Sequence, residues 1–167
     1  MLRDYVMRLV EQDAKLLIAI AAKREAGQHE EARQDLNALC QQHVGLTLDF
    51  VKRTSPEGVA QALESAGALR HARAVLLSDL LMLDAEISDD TARASEATVA
   101  RLHAFCLLAD SMPMLSRDEQ ATYRPKLARL AESLCALSGN PYVQSKLQLH
   151  RSADAEQVAV TPLHPAP

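Results

Sequence analysis

Two Cys/His pairs are the residues whose types and spacing could do chemistry. Cys40 precedes His43 by three positions, and His103 precedes Cys106 by three. Residues three apart share one face of a helix, and a thiolate plus an imidazole from each of two helices would make a tetrahedral zinc site. The interpretation that we favour is that both cysteines are small core residues with the histidines at the polar edge. Nothing in the sequence shows that the two helices face each other.

Other polar residues give weaker signals. His71, between Arg70 and Arg73, is typical of a solvated helix face. Asp79 and Asp84 lie in a very apolar segment, where a buried carboxylate would need a partner or a shifted pKa, and we expect each to face outward. A basic set could meet an acidic partner, although scattered surface charge is the simpler interpretation: Arg117, Arg124, Lys126 and Arg129.

Motifs that carry out known reactions are absent from the sequence. The five glycines form no phosphate-binding loop, and there is no nucleophile elbow, no paired-His metalloprotease motif and no calcium loop. We therefore assign no catalytic residue and no cofactor, and we do not expect an enzyme.

The composition is that of a helical protein with an aliphatic core. Hydrophobic residues make up 48% of the 167 positions, but aromatic residues only 3%, and Trp is absent. Leu and Ala, both strong helix formers, must therefore build the core. The net charge of −4 argues against binding to nucleic acid or to an acidic membrane. Three widely spaced cysteines indicate reduced thiols and a cytoplasmic location.

The first forty-odd residues form the clearest element, a predicted helical hairpin. Residues 2–26 carry apolar side chains at helical spacing without Gly or Pro, and residues 30–43 repeat the pattern. Gly27 stands where a helix ends in a left-handed residue, and Glu30 and Glu31 suit the positive end of the next helix. Residues 27–29 are therefore predicted to be a tight turn between two antiparallel helices.

This hairpin resembles a tetratricopeptide repeat, a helix-turn-helix unit of about 34 residues. The resemblance is carried by Leu16, Ile20, Gly27, Glu30, Glu31, Ala32, Leu36 and Leu39. The family's aromatic near Leu16, its glycine near Ile20 and its helix-ending proline are missing. Residues 4–8 also look like the start of a bacterial family of helical proteins without assigned function. The resemblance implies a groove between stacked hairpins that holds a peptide or a helix.

Further helices are predicted along the rest of the chain. Ser55 and Pro56 begin a helix that stops near Gly67, and residues 68–87 are apolar around much of their girth, as in a central buried helix. Residues 88–90 are predicted to cap a helix that reaches about residue 110 and forms a second hairpin with the one before it. Ser116 and Glu119 suit a capping box. Three predictions follow for later segments: Pro125 ends or kinks its helix, residues 126–137 continue as a helix, and residues 142–150 form a short last one.

The predicted architecture is all-α, with about six to eight helices stacked as antiparallel hairpins in a TPR-like superhelix or bundle. Residues 1–150 are expected to form one domain, and residues 151–167, which end in a proline-rich stretch, an extended or disordered tail. We expect a protein–protein interaction or scaffold module, or alternatively a helical regulatory protein that binds a small molecule or a metal. A homodimer through the first helix is also possible, because Met7, Val10 and Ala14 widen its apolar stripe.

Overall fold

The protein is all-α in a computed structural model that describes the backbone of residues 2–134 and 139–160 and the side chains of residues 11–134 and 139–156. These ranges contain eight α-helices, two single-turn 3-10 helices (Gly67–Leu69 and Met112–Met114) and no strand. The α-helices are α1 Leu2–Glu25, α2 His29–His43, α3 Leu48–Arg53, α4 Pro56–Glu64, α5 Arg70–Asp90, α6 Ala94–Ser111, α7 Arg117–Leu134 and α8 Pro141–Val160. The predicted fold class and the helix number are confirmed.

The hairpin of α1 and α2 has the predicted turn. Gly27 adopts a φ of 78°, the left-handed conformation that glycine tolerates best. The amide of Gln28 donates to the carbonyl of Lys23 at 2.9 Å, and the amide of Gly27 donates to that of Arg24 at 2.9 Å. This pair of hydrogen bonds is a Schellman ending, and it turns the chain back within three residues.

Two further predicted helix starts, at Ser55 and at Ser116, are also confirmed. Ser55 accepts a hydrogen bond from the amide of Gly58 at 3.1 Å, and Pro56 occupies the first turn of α4. At the start of α7, the amide of Ser116 donates to Glu119 at 2.8 Å, and the amide of Glu119 donates to the Ser116 hydroxyl at 3.3 Å. Both caps satisfy amides that the helix itself leaves without partners.

A second hairpin, α5 with α6, lies at the centre of the core. These two helices make the most extensive helix–helix contact in the described chain, and both bury long apolar stripes, with Leu77, Leu80, Leu81, Phe105 and Leu108 at their centre. On the α5 side, α1, α2 and α4 pack against the pair, whereas α3, α4, α7 and α8 pack against α6. Within the described ranges, no helix combines the length and the apolar character needed to cross a membrane.

Four expectations about individual segments need correction. α5 continues to Asp90 and α6 begins only at Ala94 without a side-chain cap, so residues 88–90 end one helix rather than starting another. Pro125 does not end its helix, because α7 runs through it to Leu134. The predicted helix from residue 126 is confirmed as far as Leu134, and a kink at Pro125 stays a prediction. α8 extends to Val160, so residues 151–160 are helical rather than part of an extended tail. Residues 135–138 and 161–167, which include the end of the predicted helix 126–137 and the proline-rich end, lie outside the described residues.

The fourth correction concerns Asp84, which does not face outward. It is fully buried in α5, and its Oδ2 accepts a hydrogen bond from Lys52 Nζ of α3 at 3.0 Å. A carboxylate can be buried at tolerable cost when a cation pairs with it. The partner comes from 32 residues earlier in the chain, beyond the reach of local sequence patterns.

Candidate functional site

The four metal-ligand candidates lie in separate surroundings. Cys40 is buried in α2, where the Asp84 carboxylate affects its pKa. His103 and Cys106 are buried in α6, where the Glu57 carboxylate of α4 affects the pKa of both. No group of three or more His, Cys, Asp or Glu side chains in the described part of the chain is placed to hold a metal ion. The structure therefore brings together the members of each pair on one helix but does not bring the two pairs to one site.

Burial also favours protonation states of the two thiols that do not bind metals. It raises the pKa of Cys40 to about 12, helped by the Asp84 carboxylate, and the pKa of Cys106 to about 12. Burial lowers the pKa of His103 to about 4. At neutral pH both thiols are protonated and the imidazole is neutral, which is the state of inert core residues rather than of thiolate ligands. Cys135 lies outside the described residues.

His43 has a partner of its own. Its Nδ1 lies 3.3 Å from Oδ1 of Asp13, a buried residue of α1, although the two groups lack hydrogen-bond geometry. Burial raises the pKa of Asp13, against the opposing effect of His43. The contact ties the end of α2 to the middle of α1, so His43 is occupied in the hairpin.

A groove of about 650 Å³ lies between α1 and α7. α1 contributes one wall through Ala14, Leu17, Ile18 and Ala21, a stripe at helical spacing. Ile18 is 70% exposed on this wall although its side chain is fully apolar. The stripe is wider than the face by which α1 packs on α2 and α5, so part of it has no neighbour among the residues whose side chains are described.

The floor comes from α5 and the opposite wall from α7. Asp79, Met82, Leu83 and Glu86 follow the same helical spacing along α5. Tyr123, Lys126, Arg129 and Leu130 are the main contribution of α7, and Arg101 of α6 completes the lining. The groove stays open because α1 packs on α2 and α5 while α7 packs on α6, and the two walls make no extensive contact with each other.

A Tyr/Lys/Asp triad bridges the floor and the α7 wall. Tyr123 Oη donates to Asp79 Oδ2 at 2.8 Å, and Lys126 Nζ donates to Oδ1 at 2.9 Å. The ammonium also lies 4.6 Å from the centre of the Tyr123 ring. Burial, together with the Asp79 carboxylate, raises the pKa of Tyr123. The phenol is thus protonated at neutral pH and is unsuited to act as a base.

The same arrangement occurs a second time, outside the groove. Tyr142 Oη donates to Asp110 Oδ2 at 3.1 Å, Lys146 pairs with the same carboxylate, and its ammonium lies 4.4 Å from the Tyr142 ring centre. This second triad fastens α8 to α6 as the first fastens α7 to α5. We interpret both triads as contacts that position a helix, because the same arrangement recurs outside the groove, where Asp110 lines only a small cavity of about 10 Å³.

The remaining charges of the groove are paired, with one exception. Glu86 accepts from Arg24 at 2.5 Å, and Arg101 pairs with Asp89. Arg129 is exposed, and its Nε donates to the carbonyl of Pro125 at 3.4 Å. Within the part of the chain that the structure describes, it has no carboxylate partner. Arg129 and Lys126 belong to the predicted basic set, but only Arg129 offers a charge that is still unneutralised in the groove.

Sequence reasoning missed the groove and its most exposed apolar residue. The apolar stripe of α1 was visible as a periodicity, but the side of the stripe left uncovered depends on which helices pack against it. The excess width of that stripe, from which we predicted self-association, was the one available signal. Comparison of the chain with models of protein families, with curated proteins and with solved structures gave no match. The resemblances to tetratricopeptide repeats and to the bacterial helical family stay predictions.

Proposed function

We propose that this protein is an interaction module that binds a helical segment of a partner protein in the groove between α1 and α7. The observation that carries the proposal is Ile18, which is 70% exposed on the apolar α1 wall of a groove of about 650 Å³. Apolar surface that is contiguous and rimmed by polar residues is a common mark of protein-interaction sites and ligand-binding grooves. Full burial of one such side chain is worth about 1.5–3 kcal/mol, so covering this stripe would be a substantial source of affinity.

A helix suits the shape of this groove. The apolar positions of α1 and the floor positions of α5 are stripes of about two turns each, roughly 10 Å long. An amphipathic helix binds such a surface through residues at positions i, i+3, i+4 and i+7. The walls belong to helices that do not pack on each other, so a third helix could enter between them at the usual interaxial distance of about 8–10 Å.

A small molecule is a less favourable occupant. The volume of the groove lies in the range of ligand pockets. Such pockets enclose most of their ligand, whereas here the wall residue Ile18 is largely exposed to solvent. The two triads, with their protonated phenols and paired carboxylates, also support a binding role over a catalytic one. A TPR-like scaffold and a cytoplasmic location belong to the same proposal. They are supported by the two hairpins and by the free, buried thiols of Cys40 and Cys106.

A display library of random peptides tests this proposal with a matched pair of variants. Ile18 and Leu149 are both 70% exposed, but only Ile18 lines the groove. Peptides selected on the wild-type protein should carry apolar residues at helical spacing. They should lose at least about tenfold in affinity on Ile18→Asp, since one buried aliphatic side chain is worth more than 1.4 kcal/mol. Leu149→Asp should leave their affinity unchanged. Peptides without helical periodicity, or peptides that bind both variants equally, would refute the proposal.

A further inference from the structure

We propose that the helix recognised by this groove carries carboxylates beside its apolar stripe, so that the partner is an acidic amphipathic helix. This inference rests on the proposed function, because it names the chemistry of the occupant of the same groove. It is drawn from the charges that line the groove and from the ones that are already neutralised.

The groove is positively charged on a negatively charged protein. Three cations (Arg101, Lys126 and Arg129) and two carboxylates (Asp79 and Glu86) line it, so the lining carries a net charge of +1, whereas the chain as a whole carries −4. The rest of the chain carries a net negative charge, which disfavours an acidic partner. The groove is therefore a place where an acidic helix can approach favourably, and like-charge repulsion around it would help to orient the approach.

The pairing of the lining charges singles out Arg129. Lys126 is held by Asp79 at 2.9 Å and Arg101 is held by Asp89, so their charges are compensated within the protein. Arg129 uses its Nε on a backbone carbonyl, which leaves its two terminal nitrogens for another acceptor. A guanidinium with two parallel N–H groups suits a carboxylate better than any other common side chain.

The position of Arg129 explains why the carboxylate should accompany an apolar stripe. Arg129 directly precedes Leu130, a buried residue of the same groove wall. A helix that packs its apolar residues on Met82, Leu83 and the α1 wall would present its flank to α7. Carboxylates on that flank would meet Arg129, whereas lysines there would meet an unneutralised like charge.

Designed helical peptides test the charge preference directly. The probes are three fluorescent peptides of about 18 residues with one leucine stripe, whose flanking positions are all Glu, all Gln or all Lys. Fluorescence anisotropy in about 0.05 M salt should show the Glu peptide binding roughly three- to tenfold more tightly than the Lys peptide, the range expected for an exposed pair against an exposed repulsion. The preference should shrink in about 0.5 M salt, where the screening length is only a few ångströms.

Two charge reversals on α7 serve as variant and control. Arg129→Glu should abolish or invert the preference for the Glu peptide. Arg124→Glu, the same change on the same helix outside the groove lining, should weaken it far less. Ile18→Asp should weaken all three peptides, and the Glu peptide most, because it removes an apolar contact and also adds a negative charge to the groove.

The outcomes separate this inference from the proposed function. If none of the peptides binds, or if Ile18→Asp has no effect on any of them, the proposed function fails. If the peptides bind in an Ile18-dependent manner but without a preference for Glu, or with a preference that Arg129→Glu leaves intact, only the acidic partner is refuted. Analytical sedimentation could instead show a dimer that dissociates in the Ile18→Asp variant. A second copy of this chain would then occupy the groove, in line with the predicted homodimer, and the inference of an acidic partner would be overturned.

Discussion

At the scale of single residues, Asp84 is the charge in the least favourable place. Its Oδ2 is paired with Lys52, but its Oδ1 has no hydrogen-bond partner among the described side chains and backbone. Lys52 Nζ also lies 3.5 Å from Glu96 Oε2, and the same oxygen lies 3.4 Å from Arg33 Nη1. The pair thus belongs to a chain of charges that joins α2, α3, α5 and α6. Such a network stabilises one particular packing, but it does so only while every partner is present.

Removal of Lys52 should therefore destabilise the fold strongly, because it leaves the fully buried Asp84 without its counter-charge. We expect Lys52→Met to lower the free energy of unfolding by about 3 kcal/mol, because it leaves a carboxylate buried without a counter-charge. Urea denaturation at neutral pH measures the change. The double variant Lys52→Met/Asp84→Leu should regain most of this loss, since a buried pair can be replaced by apolar residues at little cost.

The matched control is the exposed pair between Arg101 and Asp89. Arg101→Met should cost less than about 1 kcal/mol, because solvent screens a surface ion pair. If Lys52→Met costs no more than Arg101→Met, the Lys52–Asp84 pair does not stabilise the core in the way described.

At the scale of elements, the two hairpins share one turn geometry built from different residues. Ala92 has a φ of 58°, and the amides of Arg93 and Ala92 donate to the carbonyls of Ser88 and Asp89 at 2.7 and 3.1 Å. These are the bonds that Gln28 and Gly27 make at the end of α1. Ala92 therefore occupies the position that glycine holds in the first hairpin, where an L-residue with a Cβ is strained.

The turn at Ala92 should accordingly be a site where a single glycine stabilises the protein. Ala92 is exposed, so Ala92→Gly loses little packing. Relief of the left-handed strain, about 1–2 kcal/mol, should exceed the entropy lost by glycine, about 0.4–1 kcal/mol. We expect a net gain of roughly 0.5–1 kcal/mol in urea denaturation, and a comparable loss for the reverse change, Gly27→Ala.

The same Ala→Gly change in a regular helix provides the comparison. Ala121 is exposed inside α7, where glycine costs about 1 kcal/mol. Opposite signs for Ala92→Gly and Ala121→Gly would confirm that backbone conformation, and not side-chain contact, decides the effect. Destabilisation by both would show that Ala92 is not strained.

The comparison of these turns also shows what the sequence could reveal. The bounds of the two helices of the first hairpin were predicted to within one residue, because Gly27 marks the turn between them. The second hairpin was recognised from its apolar stripes, but its turn was misplaced because Ala92 carries no such signal. The groove was out of reach for a different reason: its lining comes from α1, α5, α6 and α7, and only the packing order of these helices decides which apolar positions remain uncovered. Arg129 could be named as one of a basic set, but its lack of a carboxylate partner among the described residues is a property of the folded chain.

At the scale of the whole molecule, a cluster of buried apolar residues joins the eight α-helices that the structure describes. The buried cluster runs from Ile20 of α1 through α5 and α6 to Val143 and Leu147 of α8. Cys40 and Cys106 lie in different parts of this cluster. Cys40 belongs to α2, and Cys106 belongs to α6 and lies near Lys146 of α8. A protein of this size with a single core is expected to unfold in one cooperative step, and the prediction of one domain can be tested through these two thiols.

Both thiols should become reactive at the urea concentration at which the helices are lost. We would measure Cys40 in a Cys106→Ala/Cys135→Ser variant and Cys106 in a Cys40→Ala/Cys135→Ser variant, using a thiol reagent at mildly alkaline pH. Burial raises the pKa of each thiol to about 12 in the folded protein, so reaction requires exposure, after which the pKa returns to its ordinary value near 8.5. In each variant the midpoint of thiol reactivity should coincide with that of its own circular-dichroism signal, which removes any effect of the alanine on stability. Reaction of Cys106 well before helix loss, with Cys40 still protected, would instead show that α8 opens by itself and that the chain is not one cooperative unit.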